Sequence, residues 1–268
     1  MVRVTLATAI LMALLFFAIS RPDTVPKKLH AESSTLRVAS ANILFDNPLP
    51  GAAAAALAEL DADVLLALEW TGTNLDTEIL ARASLHPVVS RPARGTHGIA
   101  VFARNELRVS GSLFESPIDG PCAMPGLALT ITKDFRRFNF LGVHAPPPIA
   151  VCDRKTAPTV RAFTSVISEG VLNTPISDLE VGQTTLVAGD LNTLPWASSL
   201  SAFRQSGLVD AYRSFRWKLG PTWSPISFIP SIARIDYIFV PDDVPVSGAW
   251  TVSIPGSDHR AVVVDLDL

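Results

Sequence analysis

Hydrophobic and polar positions alternate along the chain in short blocks. Apolar runs rich in Val, Ile, Leu and Phe cover residues 36–41, 63–68, 98–103, 127–132, 138–143, 185–188, 235–240 and 261–266. Gly, Pro, Asn or Asp bounds most of them, the pattern of buried strands closed by turns. Helical signals fall between some of these runs. Residues 51–60 are Ala-rich and strongly helix-forming, and "NLDTEILARAS" at 74–84 has amphipathic spacing. Residues 158–172 open on Pro158 and close near Gly170, and residues 196–206 begin just after Pro195. Strands outnumber helices and the helices are irregularly placed. That predicts an α/β sandwich of two sheets with helices outside, rather than a strict βαβ array. Nothing divides residues 36–268, which read as one domain.

Composition supports a large core. The chain has 268 residues, 48% apolar and 18% charged, enough to bury an extensive interior. Its net charge of −3 and lack of a polybasic tract argue against a non-specific grip on nucleic-acid backbone. After Arg3, the stretch Val4 to Ser20 carries no charge. Its length falls between a signal-peptide core and a membrane-spanning helix. Residues 1–20 therefore read as a signal peptide or an uncleaved anchor, and 21–35, "RPDTVPKKLHAESST", as a linker. Both readings place the domain outside the cytoplasm, either free or tethered to a membrane through residues 4–20.

The two cysteines, Cys122 and Cys152, bear on this. "GLALTIT" and "FNFLGVH" are spaced as an antiparallel hairpin around "KDFRR", with a cysteine outside each strand at the same end. In an exported chain this favours a disulfide. Two separate buried thiols are the alternative, because three prolines intervene between His144 and Cys152.

Polar residues collect at the strand ends. Asn42 follows the first run, Glu69 the second and His144 the "FNFLGV" run; Asp190 and Asn192 follow "TLVAG". Asp236 sits inside "ARIDYIFV", and Asp258 with His259 precedes the last run. Any one of these could be a cap or a solvated loop residue. Six segments delivering such groups to strand termini point to a site, because a rigid sheet fixes side chains there while leaving them reachable. Asp236, among aromatic and β-branched neighbours, needs a partner, and His259 is the obvious one. Carboxylates and an amide without a Cys–His cluster suit Mg²⁺ or Mn²⁺. With two histidines they suit attack of water on phosphorus. The chain contains no GxSxG elbow, Walker loop or GxGxxG helix start.

"RVASANIL", "VLLALEW", "GIAVFAR", "LGVHAPPP", "VAGDLNTLPW", "ARIDYIFV" and "GSDHRAVVV", in that order, resemble the endonuclease/exonuclease/phosphatase superfamily. "GPTWSP" at 220–225 resembles a bacterial subgroup with N-terminal membrane segments. The resemblance implies a DNase I-like four-layer α/β sandwich, two mixed, mostly antiparallel sheets face to face. It implies Glu69 as principal metal ligand with Asn42 and Asp258 beside it, and Asp190 polarising water with Asn192 adjacent. His259 is then the phosphate-stabilising histidine held by Asp236, and His144 the second histidine of the secreted nuclease and sphingomyelinase branches. The chain departs from some branches in having Leu44, not an acid, two positions after Asn42.

The implied activity is a divalent-metal-dependent phosphodiesterase on nucleic acid or a phospholipid, with a monomeric domain. A phosphomonoesterase on a lipid or sugar phosphate and a non-catalytic binding module are the alternatives. Trp223 is a candidate substrate-binding residue, with Trp70 as a further rim candidate, whereas Trp196 reads as ordinary packing. Arg161, with Arg94 and Arg154, is a candidate phosphate contact.

Overall fold

The alternation of apolar residues resolves into two six-stranded sheets. In the computed structural model, residues 21–28, 35–114, 122–148, 152, 154–169, 184–226 and 229–267 are described, 164–169 by backbone alone. The expected signal peptide or anchor, part of the linker and Gly170 lie outside them. No helix among the described residues is long and apolar enough to cross a membrane.

The first sheet runs β11 (Val246–Ser253), β12 (Arg260–Asp267), β1 (Thr35–Asn42), β2 (Val64–Leu68), β4 (Ile99–Arg104) and β3 (Leu85–Arg91). The second runs β5 (Arg108–Phe114), β6 (Gly126–Lys133), β7 (Arg136–His144), β8 (Thr185–Asp190), β10 (Asp236–Pro241) and β9 (Leu208–Asp210). Within each sheet one pair is parallel, β1 with β2 and β7 with β8, and the other pairs are antiparallel.

Alternate residues of each strand face opposite ways, which creates three cores. Val38, Leu66, Val101, Leu129, Phe140, Leu186 and Ile238 fill the space between the sheets. On the outer face of the first sheet, Ala41, Leu65 and Phe102 pack on Ala53, Ala54 and Leu57 of helix Pro50–Ala58 and on Leu80 of helix Thr77–Arg82. On the outer face of the second, Leu141, Val187 and Phe239 meet Val160 and Phe163 of helix Thr156–Glu169 and Phe203 of helix Ser201–Gln205. The result is the expected four-layer sandwich.

The eight apolar runs became eight strands, all of them flanked on both sides in their sheets. Four strands were not anticipated, and they are β11, β3, β5 and β9, the four sheet edges. An edge strand has one solvent-facing side and tolerates breaks in its apolar pattern. β3 contains Pro87, β5 Gly111 and β11 a bulge near Gly248, while β9 has three residues. The helix expected at 74–84 is confined to Thr77–Arg82, because Asp76 caps it by accepting from the Glu78 and Ile79 amides. The segment expected as one helix from 196 splits into a 3₁₀ turn, Ser198–Leu200, and helix Ser201–Gln205. Helix Ala211–Phe215 was not anticipated.

Cys122 and Cys152 are disulfide-bonded with Cα atoms 5.6 Å apart. They tie the outer ends of the β6–β7 hairpin, whose turn carries Asp134 and Phe135, both at positive φ. Residues 23–28 are tied to the domain. Asp23 exchanges hydrogen bonds with Thr251, Val25 packs on the first sheet's outer core, and the Pro26 carbonyl accepts from Arg37.

Candidate active site

Strand direction brings the polar residues together. β1, β2, β7 and β8 end, and β10 and β12 begin, at one edge of the sandwich. In the second sheet His144 is paired in register with Asp190, and Asp190 with Asp236, so β7, β8 and β10 present them as one row. From the first sheet come Asn42 at the end of β1, Glu69 directly after β2, and Asp258 and His259 directly before β12. Gly189 permits the β7–β8 approach: a Cβ there would lie 1.8 Å from the Val143 carbonyl oxygen.

The groups meet in a cleft of about 400 Å³ lined by Glu69, His144, Asp190, Asn192, Asp258 and His259. Asn42 Nδ2 donates to Glu69 Oε1 at 3.0 Å and to Asp190 Oδ2 at 3.2 Å. The same Asp190 oxygen lies 3.7 Å from His144 Nε2 and 3.8 Å from His259 Nε2. His259 Nδ1 is 2.9 Å from Asp236 Oδ2, the partnership its buried strand position demanded. The Asn192 amide N–H donates to Asp190 Oδ1 at 2.8 Å, and its side chain donates to the Ala145 carbonyl. Trp223 Nε1 donates to Asp258 Oδ2 at 2.9 Å.

Sequence reasoning missed the residues that hold this set in place. Glu69 and Asn192 both have positive φ, 61° and 48°, a conformation that side-chain-bearing residues rarely adopt. Asn74 stabilises the first by donating to the carbonyls of Glu69 and Leu44 while accepting from Thr71 N–H. The Thr222 hydroxyl accepts the Ile235 and Asp236 amides, and Ser257 bridges the Asn42 carbonyl and the His259 amide. Apart from an Asn or Ser near a motif, nothing in the sequence marks such supports.

Electrostatics follow from burial. Desolvation raises the Glu69 pKa against the hydrogen bonds of Asn42 and Phe45. Desolvation and then the Asp236 charge hold Asp190 above the usual carboxylate range. Burial pushes His144 down to about 3, helped by the His259 charge. Burial also works against charge on His259, but the carboxylates led by Asp236 outweigh it and hold its pKa at about 10. His259 is thus a cation at neutral pH and His144 is neutral.

A divalent cation fits these residues. Asp236 Oδ1 and Asp258 Oδ1 are buried without a hydrogen-bond partner, and the described residues lining the cleft include no Lys or Arg. Asp190, Asp236 and His259 bring one carboxylate or ring-nitrogen atom each within 4.8 Å of one another, though His259 would ligate only after giving up the proton that Asp236 holds on it. The expected set of Glu69, Asn42 and Asp258 adjoins that cluster, Asn42 donating to both Glu69 and Asp190.

Two tryptophans differ from their expected places. Trp70 is buried edge-on against Phe102, with ring centroids 6.0 Å apart, so it forms no rim. Trp196, expected to be packed, is 76% exposed. Arg161 is exposed on helix Thr156–Glu169 and does not line the cleft.

The sequence model of the endonuclease/exonuclease/phosphatase family matches residues 39–259. The chain belongs to that family. It is therefore a phosphoester hydrolase, of a divalent-metal-dependent family. No curated relative matches it by sequence. Its fold is similar to that of a family member from Bacteroides thetaiotaomicron, 19% identical, covering 87% of this chain and 97% of that one with a TM-score of 0.65. It is also similar to D. rerio TDP2 complexed with single-strand DNA product (15% identity, 88% and 100% coverage, TM-score 0.67). A third similar fold is the mannosyl-6-phosphatase of B. thetaiotaomicron (18% identity, 87% and 100% coverage, TM-score 0.64).

Proposed function

We propose that the protein is a metal-dependent phosphodiesterase acting outside the cytoplasm. The observation that carries this reading is the convergence on Asp190 Oδ2 of Asn42, His144 and His259, delivered by three strands of two sheets. Glu69, Asn42 and Asp258 would hold Mg²⁺ or Mn²⁺, which when bound polarises a phosphoryl oxygen and offsets charge on the leaving oxygen.

The side chains supply the rest. Asp190, in its ionised form, takes a proton from the attacking water as the new O–P bond forms and the ester P–O bond breaks. His259, kept protonated by Asp236, faces the negative charge that builds on the phosphoryl oxygens. His144, neutral and 3.7 Å from Asp190, is placed to hydrogen-bond the substrate, and Asn192 holds the water or a phosphate oxygen.

Two features favour a diester. A monoester is largely dianionic at neutral pH and calls for Arg or Lys, absent from the described cleft lining. Pro147, Pro148, Leu194, Trp223 and Ile235 wall the cleft, which suits a substituent with an apolar or aromatic body, as in a phospholipid or a nucleoside. The Cys122–Cys152 bond supports an oxidising compartment, in line with the uncharged stretch at residues 4–20.

The test is hydrolysis of bis- and mono-p-nitrophenyl phosphate, plasmid DNA, RNA, sphingomyelin and phosphatidylinositol with Mg²⁺ or Mn²⁺ and with EDTA. Preference for the diesters, abolished by EDTA, is the expected result. Preference for the monoester would transfer the assignment to a phosphomonoesterase.

A further inference from the structure

The geometry points to a lipid-docking surface formed by Trp217, Leu219, Phe215 and Trp196, which seats the domain on a bilayer beside its own N-terminal segment. Trp217 is 83% exposed and Trp196 76%, and Leu219 and Phe215 are exposed too. Trp196 and Leu219 both line a second cleft, of about 670 Å³, which Arg204 and Arg213 also enter. Large aromatic and aliphatic side chains in water beside cationic ones are the composition of a membrane-interface contact. Asp210 and Asp242 line the same cleft, and Asp210 is paired with Arg234 at 2.5 Å.

The course of the chain identifies the occupant. Asp23 is hydrogen-bonded to Thr251 and to the Tyr212 hydroxyl, and its carboxylate lies 3.9 Å from Lys218 Nζ. Asp23 stands three positions after Ser20, the end of the uncharged stretch, a span of at most about 11 Å. If residues 4–20 enter a bilayer, as the tethered reading above holds, the bilayer surface meets the domain next to Lys218, between Trp217 and Leu219. A second contact beside an anchor raises avidity and fixes orientation without extra linker cost.

The surface also reaches the active site. Leu194 lines the catalytic cleft while its neighbours Pro195 and Trp196 line the second one, and Leu219 stands four residues before Trp223. Docking through Trp196 and Leu219 sets the catalytic mouth beside the lipid headgroups, so the substrate class this favours is a bilayer phosphodiester.

The test uses the full chain reconstituted in phosphatidylcholine–phosphatidylglycerol vesicles. The two native cysteines are bonded to each other, so Trp217→Cys, Leu219→Cys and Phe135→Cys each give one site for an environment-sensitive fluorophore. Phe135 is fully exposed at the far end of β7 from His144 and serves as the water-facing control. Expected are a blue shift and strong quenching by nitroxide lipid at 217 and 219, and neither at 135. Emission at 217 matching that at 135 on vesicle-bound chain overturns the proposal, as does failure of the chain to float with vesicles. A blue shift that needs no lipid and grows with protein concentration assigns the patch to a second copy and equally overturns it. Hydrolysis of a soluble diester by the same variants reports on the catalytic site separately.

Discussion

His259 and Asp236 belong to different sheets, yet the imidazole Nδ1 lies 2.9 Å from the carboxylate Oδ2. The pair spans the sandwich at its catalytic edge. Folding raises the His259 pKa from 6.5 to about 10, so the folded chain binds this proton more tightly than the unfolded one. The stabilisation is complete below pH 6.5 and is lost as pH climbs through 10. Urea midpoints in EDTA should therefore decline across that window in the native chain. Asp236→Asn should flatten the decline, and equal slopes in the two proteins would contradict the pairing.

Asp190→Ala should lower diester hydrolysis by about 10²–10⁴-fold while the far-UV circular dichroism spectrum stays native. His259→Ala should behave similarly. Near-native rates in either variant would remove the proposed water-activating mechanism.

Crowded carboxylates with unpartnered oxygens predict a cation-dependent stability. Mn²⁺ at about 100 times Kd should add about 2.7 kcal/mol, read calorimetrically as a rise in Tm of several degrees. Glu69→Gln should reduce that rise. An unchanged rise in the variant would place the cation elsewhere, for example at Asp190, Asp236 and His259.

Arg37 is buried in β1 and grips Asp265 of β12 through Nε and Nη2, at 2.6 and 2.8 Å. Its Nη1 also donates to the Pro26 and Leu60 carbonyls. Arg37→Ala leaves Asp265 without this partner and should cost about 3–5 kcal/mol by urea denaturation. A loss within the error of the measurement would show that the pair adds nothing net.

Reduction of Cys122–Cys152 should destabilise the chain by about 2–4 kcal/mol, since the bond closes a loop with a sequence separation of 30. Neither cysteine lines the catalytic cleft, so rates measured below the melting temperature should hardly change. Comparing Tm and initial rates with and without reductant checks both halves.

The sequence by itself determined the interior of this protein. Strands buried on both faces must be apolar along their length, so the eight central strands were legible, as was the delivery of Asn42, Glu69, His144, Asp190, Asp236 and His259 to strand ends. The four edge strands were not, because a strand with one side in water can carry Pro87, Gly111 or a bulge at little cost. The tertiary structure alone decided which ends meet. Parallel pairing of β1 with β2 and of β7 with β8 turned six separated segments toward one edge, and register alone set Asp190 between His144 and Asp236. It also decided that Trp70 is core and Trp196 is surface, because burial depends on what the other layer places opposite a side chain. The supports of the site, Asn74, Thr222 and Ser257, act through backbone carbonyls and amides. Those partners acquire positions only when the loops have folded, so no local pattern of side chains announces them.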